Sequence, residues 1–162
     1  MITIALFSSK MILSRLIMWI TKSPASHSAI GFEKDGKQYF LHAAWGGVQI
    51  TPREEVLAGR TLVAEFEVKA NLDDELALAE KRVGEPYDTV GLFGYLAVLL
   101  AKNFGWGIHN PLASKSAVVC SEFIIELDYY HEIPEFDGLN PANVSPRDLF
   151  DICSSGASFR KL

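Results

Sequence analysis

His27 and Cys120 are the two side chains of this sequence whose types and settings can do chemistry together. His27 opens the strand-like run Ser26-His27-Ser28-Ala29-Ile30-Gly31-Phe32. Cys120 ends the apolar run Ala117-Val118-Val119 and starts the helix-like Ser121-Glu122-Phe123-Ile124-Ile125-Glu126-Leu127. A thiol attacks as its thiolate, and a helix N-terminus with a nearby imidazole stabilises that anion. The pair predicts a thiol hydrolase or transferase, with the base early in the chain and the nucleophile late.

Each residue also has a plainer reading. On a helix starting at Cys120, Ile124 and Leu127 share its face, so the cysteine can be a small core thiol. On a strand, His27, Ala29 and Gly31 point one way and Ser28, Ile30 and Phe32 the other. The small His27 face would admit a helix at close range, as a thiol–imidazole contact requires. It would equally suit a solvent-facing histidine on an edge strand. His42, in Tyr39-Phe40-Leu41-His42-Ala43-Ala44, falls beside the His27 end of the first strand if the two segments form a hairpin. From there it can orient the His27 ring through its second nitrogen, or serve only as a buried histidine. His109 and His131 read as surface residues.

The elements that must position these residues follow from pattern. Ile2 to Phe7 reads as a buried strand and Met11 to Ile20 as a short helix. Residues 28–33 and 38–43 read as a hairpin around Lys34-Asp35-Gly36-Lys37, with further strands at Val48-Gln49-Ile50 and Thr61 to Val68. Leu72 to Val83 has helical character, with acidic residues in its first turn and Gly84 past its end. A very apolar helix is expected from Asp88 to about Asn103, and a loop from Phe104 to Lys115. Ser145-x-x-Asp148 resembles a capping box before a short last helix, and Ala157-Ser158-Phe159 suits an edge strand. Strands gather early and helices late, which predicts an α+β single domain over 1–162.

Composition narrows the function. The 162 residues are 49% hydrophobic, enough for one full core. A net charge of −5 argues against non-specific nucleic-acid binding. Cys120 and Cys153 are too few for a disulfide scaffold, and a bridge between them would consume the proposed nucleophile. A reducing, cytoplasmic setting is expected. The apolar start is interrupted by Lys10 and Arg15 and lacks a preceding basic region and a cleavage site, so it is not expected to be a signal peptide. Val90 to Ala101 is too short to span a bilayer. No close ligand pair and no H-E-x-x-H is present, so no metal or cofactor is expected.

The succession Ser26-His27-Ser28-Ala29-Ile30-Gly31-Phe32, Phe40-Leu41-His42-Ala43, Gly47-Val48-Gln49-Ile50, Gly84-Glu85-Pro86-Tyr87-Asp88, Val119-Cys120-Ser121-Glu122 and Val144-Ser145-Pro146-Arg147-Asp148-Leu149 resembles the permuted papain-like hydrolases. These are NlpC-type proteins with rotated chain order, including YiiX-type amidases and the lecithin:retinol acyltransferase group. The resemblance implies a papain-like antiparallel sheet packed against helices, with the cysteine at a helix N-terminus. It implies Cys120 as nucleophile, His27 as base and His42 as the orienting third residue, a place where many members carry glutamate. Tyr87 matches a Pro-Tyr pattern of relatives and is expected to touch substrate.

The combined expectation is a cysteine hydrolase cleaving an amide or peptide bond through a thioester, on a peptide, cell-wall peptide or acyl-amide substrate. Trp45 and Trp106, each among glycines, are candidates for the cleft rim, although core packing is the commoner use of tryptophan. Two other classes stand beside this one. The first is an acyltransferase or lipid/ester hydrolase at a membrane surface, the less favoured partner. The second is a binding domain that has lost its chemistry.

Overall fold

The structure is a computed structural model that describes residues 1–86, 120–127, 132–141 and 144–162. Tyr87, Trp106, His109, His131, the apolar helix expected from Asp88 and the Phe104–Lys115 loop lie outside the described residues.

The chain runs β1 (Thr3–Ser8), α1 (Ile12–Thr21), β2 (His27–Lys34), β3 (Lys37–Ala44), β4 (Gly47–Pro52), α2 (Arg53–Gly59), β5 (Thr61–Val68) and α3 (Asp73–Glu80). After the undescribed stretch come α4 (Cys120–Leu127), a single 3-10 turn (Pro134–Phe136), α5 (Pro146–Ser155) and β6 (Phe159–Lys161). The strands form one six-stranded antiparallel sheet in the order β4-β3-β2-β1-β5-β6. This is an α+β fold with an open antiparallel sheet. The β2–β3 hairpin turns at Asp35 and Gly36, both at positive φ as a tight turn matched to strand twist needs.

Alternation along the strands gives the sheet two unlike faces. Ile4, Leu6, Ile30, Phe32, Leu41, Ala43 and Phe66 enter one large core together with Phe123, Ile124, Leu149 and Cys153 from the helices. The opposite face holds a smaller cluster of Ala5, Phe7, Ala29, Phe40 and Val56. Each large side chain fully removed from water contributes about 1.5–3 kcal/mol. The larger cluster therefore dominates the packing energy, and it is the one that fixes α4.

The small residues after His27 have a different use from the one expected. Ala29 and Gly31 share the His27 side, but α4 docks through residues that belong to the Ile30 and Leu41 side. Gly31 instead admits Thr3 and Phe40: a Cβ there would lie 2.2 Å from Thr3 Oγ1. That hydroxyl donates to Glu65 Oε1 at 2.8 Å, and Arg53 grips the same carboxylate through both terminal nitrogens at 2.8 and 2.7 Å. Burial pushes the Glu65 carboxyl up, and the bonds from Arg53 and Thr3 more than offset this, leaving it below the ordinary range.

The Arg53–Glu65 clamp fastens α2, a helix not expected from the sequence. Seven residues are too few for a readable apolar period. The 81–84 segment, expected to end a longer helix, turns instead, and Gly84 and Glu85 bond the backbone of Val48 at the free edge of β4. The capping box at Ser145 forms as expected, with Asp148 N–H donating to Ser145 Oγ and Asp148 Oδ2 receiving the Ser145 N–H.

At Gly47, φ is +110° and a Cβ would lie 2.3 Å from the Glu85 carbonyl oxygen. Because that neighbour is backbone, it has little room to yield. Gly47→Ala is expected to lower stability by about 2 kcal/mol or more, read as a lower midpoint in thermal or urea unfolding. An unchanged midpoint would show that this close approach carries no constraint.

Candidate active site

His27 begins β2, where the ladder pairs it with Phe7 of β1. His42 lies near the end of β3, on the same side of the sheet by the register that pairs Phe40 with Gly31. Their rings meet edge to face, with His27 Nε2 3.0 Å from His42 Nδ1. His42 Nε2 is in turn 3.2 Å from Thr51 Oγ1. Thr51 was not expected as a partner, yet hairpin register could have found it. Gln49 pairs with His42, and the residue two further along β4 returns to the same face.

The relay has one arrangement that leaves a usable base. If His42 donates its Nε2–H to Thr51, its Nδ1 keeps a lone pair and accepts the Nε2–H of His27. His27 Nδ1 then carries the free lone pair of a neutral imidazole. The electrostatics favour neutral rings. Burial, then the positive charge of Arg60, depress His42 from 6.5 to about 4. Burial, Arg60 and His42 hold His27 well below its ordinary value. Arg60 follows α2, and no local pattern marks it as part of the site.

Cys120 is buried at the first residue of α4. Its thiol lies close enough to Ser28, the residue next to His27, to feel its polar groups, although Ser28 Oγ itself has no hydrogen-bond partner among the described residues. Burial pushes the thiol up, and the contacts from Ser28 and from its own helix start oppose that shift without cancelling it. Sequence reasoning predicts an activated, lowered thiol, whereas this environment favours a protonated one at rest. Among the described residues, no hydrogen bond joins Cys120 to either histidine. Cys153 is also buried and unbridged, with its thiol pushed up to about 12 by burial and by Glu135.

Two sets of contacts fix α4. Ser121 Oγ donates to the Val144 carbonyl at 2.6 Å, tying the helix start to the segment that caps α5. Arg82 lies over the Phe123 ring and bonds Glu126 at 2.7 Å and Glu85 at 2.9 Å.

A cavity of about 140 Å³ opens on the histidine side, lined by His27, Arg60, Trp45, Ser14, Ser26 and Met11 among others. Trp45 sits on the β3–β4 turn with 80% of its surface exposed, which agrees with a rim position and not a core one. Thus the structure brings His27, His42 and Trp45 to one region, and Cys120 to the neighbouring residue of β2. Among the described residues, no three His, Cys, Asp or Glu side chains are gathered to hold a metal ion.

With this geometry in hand, comparison with known proteins is informative about the fold. No protein-family profile matches the chain, and no curated protein matches its sequence. Solved structures do match, among them the metalloprotein YiiX from Escherichia coli O157:H7, with TM-score 0.64 and 20% identity over 99% of this chain and 94% of that one. The chain has a YiiX-like fold. At this identity the likeness concerns the backbone. The paired histidines are not joined by a third potential ligand, so the described residues hold no cluster fitted to a metal such as that of the neighbouring metalloprotein. Among the described residues, no helix is long and apolar enough to cross a membrane.

The neutral histidines make stability depend on pH. In the unfolded chain they protonate near pH 6.5, whereas folded His42 does so only near 4. Below 6.5 the unfolded state binds protons that the folded state refuses, so stability falls with pH, and the His42 share of that loss is complete below about 4. The His42 contribution is on the order of 3 kcal/mol. Urea unfolding between pH 7 and 4 is expected to show a steep loss of stability for wild type and a shallower one for His42→Gln. Equal slopes would remove His42 as the source.

Proposed function

We propose that this protein is a cysteine hydrolase that cleaves an amide or peptide bond through a Cys120 thioester, on a permuted papain-like arrangement. The observation that carries the reading is the His27–His42–Thr51 relay at the head of β2, with the helix-starting Cys120 near the adjoining strand residue Ser28.

The chemistry follows from the atoms. The Cys120 sulfur attacks the substrate carbonyl carbon as its proton passes to His27 Nδ1. His27 becomes an imidazolium whose Nε2–H donates to His42 Nδ1. That nitrogen can accept because His42, titrating near 4, is neutral at pH 7. The oxyanion accepts from the Cys120 backbone N–H at the start of α4. Collapse transfers the His27 proton to the leaving amine, and water delivered with His27 as base hydrolyses the thioester. Burial keeps both partners neutral until substrate arrives, so proton transfer and attack are coupled and no standing ion pair is required. Because α4 docks on the Ile30 side of β2 and His27 faces the Ala29 side, the start of β2 must turn the His27 ring toward Cys120 for this step. The β2–β3 ladder starts only at Ile30, so the His27 backbone is paired with β1 while its tie to β3 runs through the His42 side chain.

Trp45 and the cavity beside His27 support binding of an extended substrate that carries an apolar group. Tyr87 and Trp106 remain proposed substrate contacts on sequence grounds.

Cys120→Ala is expected to abolish turnover of peptide amides, and His42→Ala to reduce it about 10- to 100-fold. Intact-mass spectrometry should detect an acyl adduct on wild type and none on Cys120→Ala. Retained hydrolysis in Cys120→Ala would sink the thioester mechanism. Inactivity of folded wild type across amide, ester and acyl-acceptor panels would favour a binding domain. Iodoacetamide labelling of Cys120 is expected to keep rising through and above pH 9. A midpoint well below the unperturbed thiol value of about 8.5 would replace the neutral couple with a resting ion pair.

A further inference from the structure

We propose that the outer face of α1 docks this protein onto an anionic lipid surface. The claim is independent of the hydrolase reading. α1 buries Ser14, Ile17 and Ile20 on its inner side, yet its outer side is also apolar. Met11, Ile12, Leu16 and Trp19 are exposed at 72, 86, 40 and 71%. Ile12, Leu16 and Trp19 are spaced four and three residues apart, so they form one stripe along the helix. Trp45 extends the patch across the mouth of the cavity that Met11 also lines. A contiguous exposed patch of large apolar side chains marks an interaction surface, unlike scattered single ones.

Charge identifies the occupant. The chain carries −5 overall, yet no Asp or Glu occurs before Glu33, and Lys10, Arg15 and Lys22 are all exposed within or beside α1. Cations rimming an apolar helical face, with tryptophan at its boundary, match an interfacial helix on anionic headgroups. A second copy of this chain is disfavoured, because a symmetric contact through α1 would set the same three cations against themselves. Docked this way, the cavity beside His27 opens towards the lipid surface.

The test is co-sedimentation of the full chain with phosphatidylcholine vesicles, with and without roughly 30% phosphatidylglycerol, near 0.1 M salt. Binding is expected only with phosphatidylglycerol and should fall severalfold at about 0.5 M salt. Ile12→Ser/Trp19→Ser should reduce partitioning about tenfold or more, with circular dichroism and the unfolding midpoint checking the fold. Lys10→Glu/Arg15→Glu leaves the apolar stripe intact and should also abolish binding, which guards against a folding artefact in the first variant. No partitioning on either vesicle, equal partitioning on both, or partitioning unaffected by both variants would overturn the proposal. So would a wild-type dimer in sedimentation velocity that Ile12→Ser/Trp19→Ser converts to monomer, since a second copy would then cover the face.

Discussion

The register of β2 between β1 and β3 is the constraint on which the rest of this molecule depends. β2 is buried on both sides over most of its length, so alternate residues serve different cores. Ile30 and Phe32 hold the helical layer, whereas His27, Ala29 and Gly31 face the smaller cluster under α2. A slip by one residue would exchange the two sets and drive His27 into the larger core. Thr3 at Gly31 prevents that slip from one side, and the tight Asp35–Gly36 turn prevents it from the other. The thiol and the imidazole can therefore be delivered from different layers to adjacent positions of one strand.

Electrostatics at the site follow from the same layering. The His27 ring lies beside Phe7 and meets His42 edge to face, and the charge of Arg60 acts on both rings. Low local polarity and a like charge both act against imidazolium, and burial acts against thiolate. Each group is held in its uncharged form by desolvation, which is the opposite of a preformed ion pair. Within that setting His42 works as an acceptor because it is hard to protonate. A glutamate in place of His42 would reach the same end by carrying a charge.

Much of the scaffold was legible in the sequence because strand alternation and turn chemistry are local. All six strands, the hairpin turn, the Ser145 capping box and the meeting of His27 with His42 follow from short patterns. What was not legible depends on distant partners. α2 is too short to show a period, and its anchor, Glu65, lies in a strand that reads only as alternating. Arg60, the charge acting on both rings, directly follows that same unseen helix. The small-residue face was read correctly in direction and wrongly in purpose, since nothing local says that Thr3 and Phe40, and not a helix, occupy the space above Gly31. The thiol failed in the same way: a helix start favours thiolate, but burial is a tertiary property and here it prevails.

The division of the chain between sheet and helices has a consequence for how the protein is made. Five of the six strands lie between Thr3 and Val68; the β2–β3 and β3–β4 pairings close small loops, while β1 pairs with β5 across the whole of that segment, so this part of the sheet is complete without any later residue. Such contacts form readily as a chain emerges. Cys120 joins Ser28 only after a long intervening stretch, and the start of its helix is then fastened by Val144, which is made later still. The paired histidines thus belong to the part of the chain that can organise first, and the sulfur to the part that closes last. A nascent chain would hold the paired histidines with no thiol near them, and Cys120 would stay outside that environment until the C-terminal segment is in place.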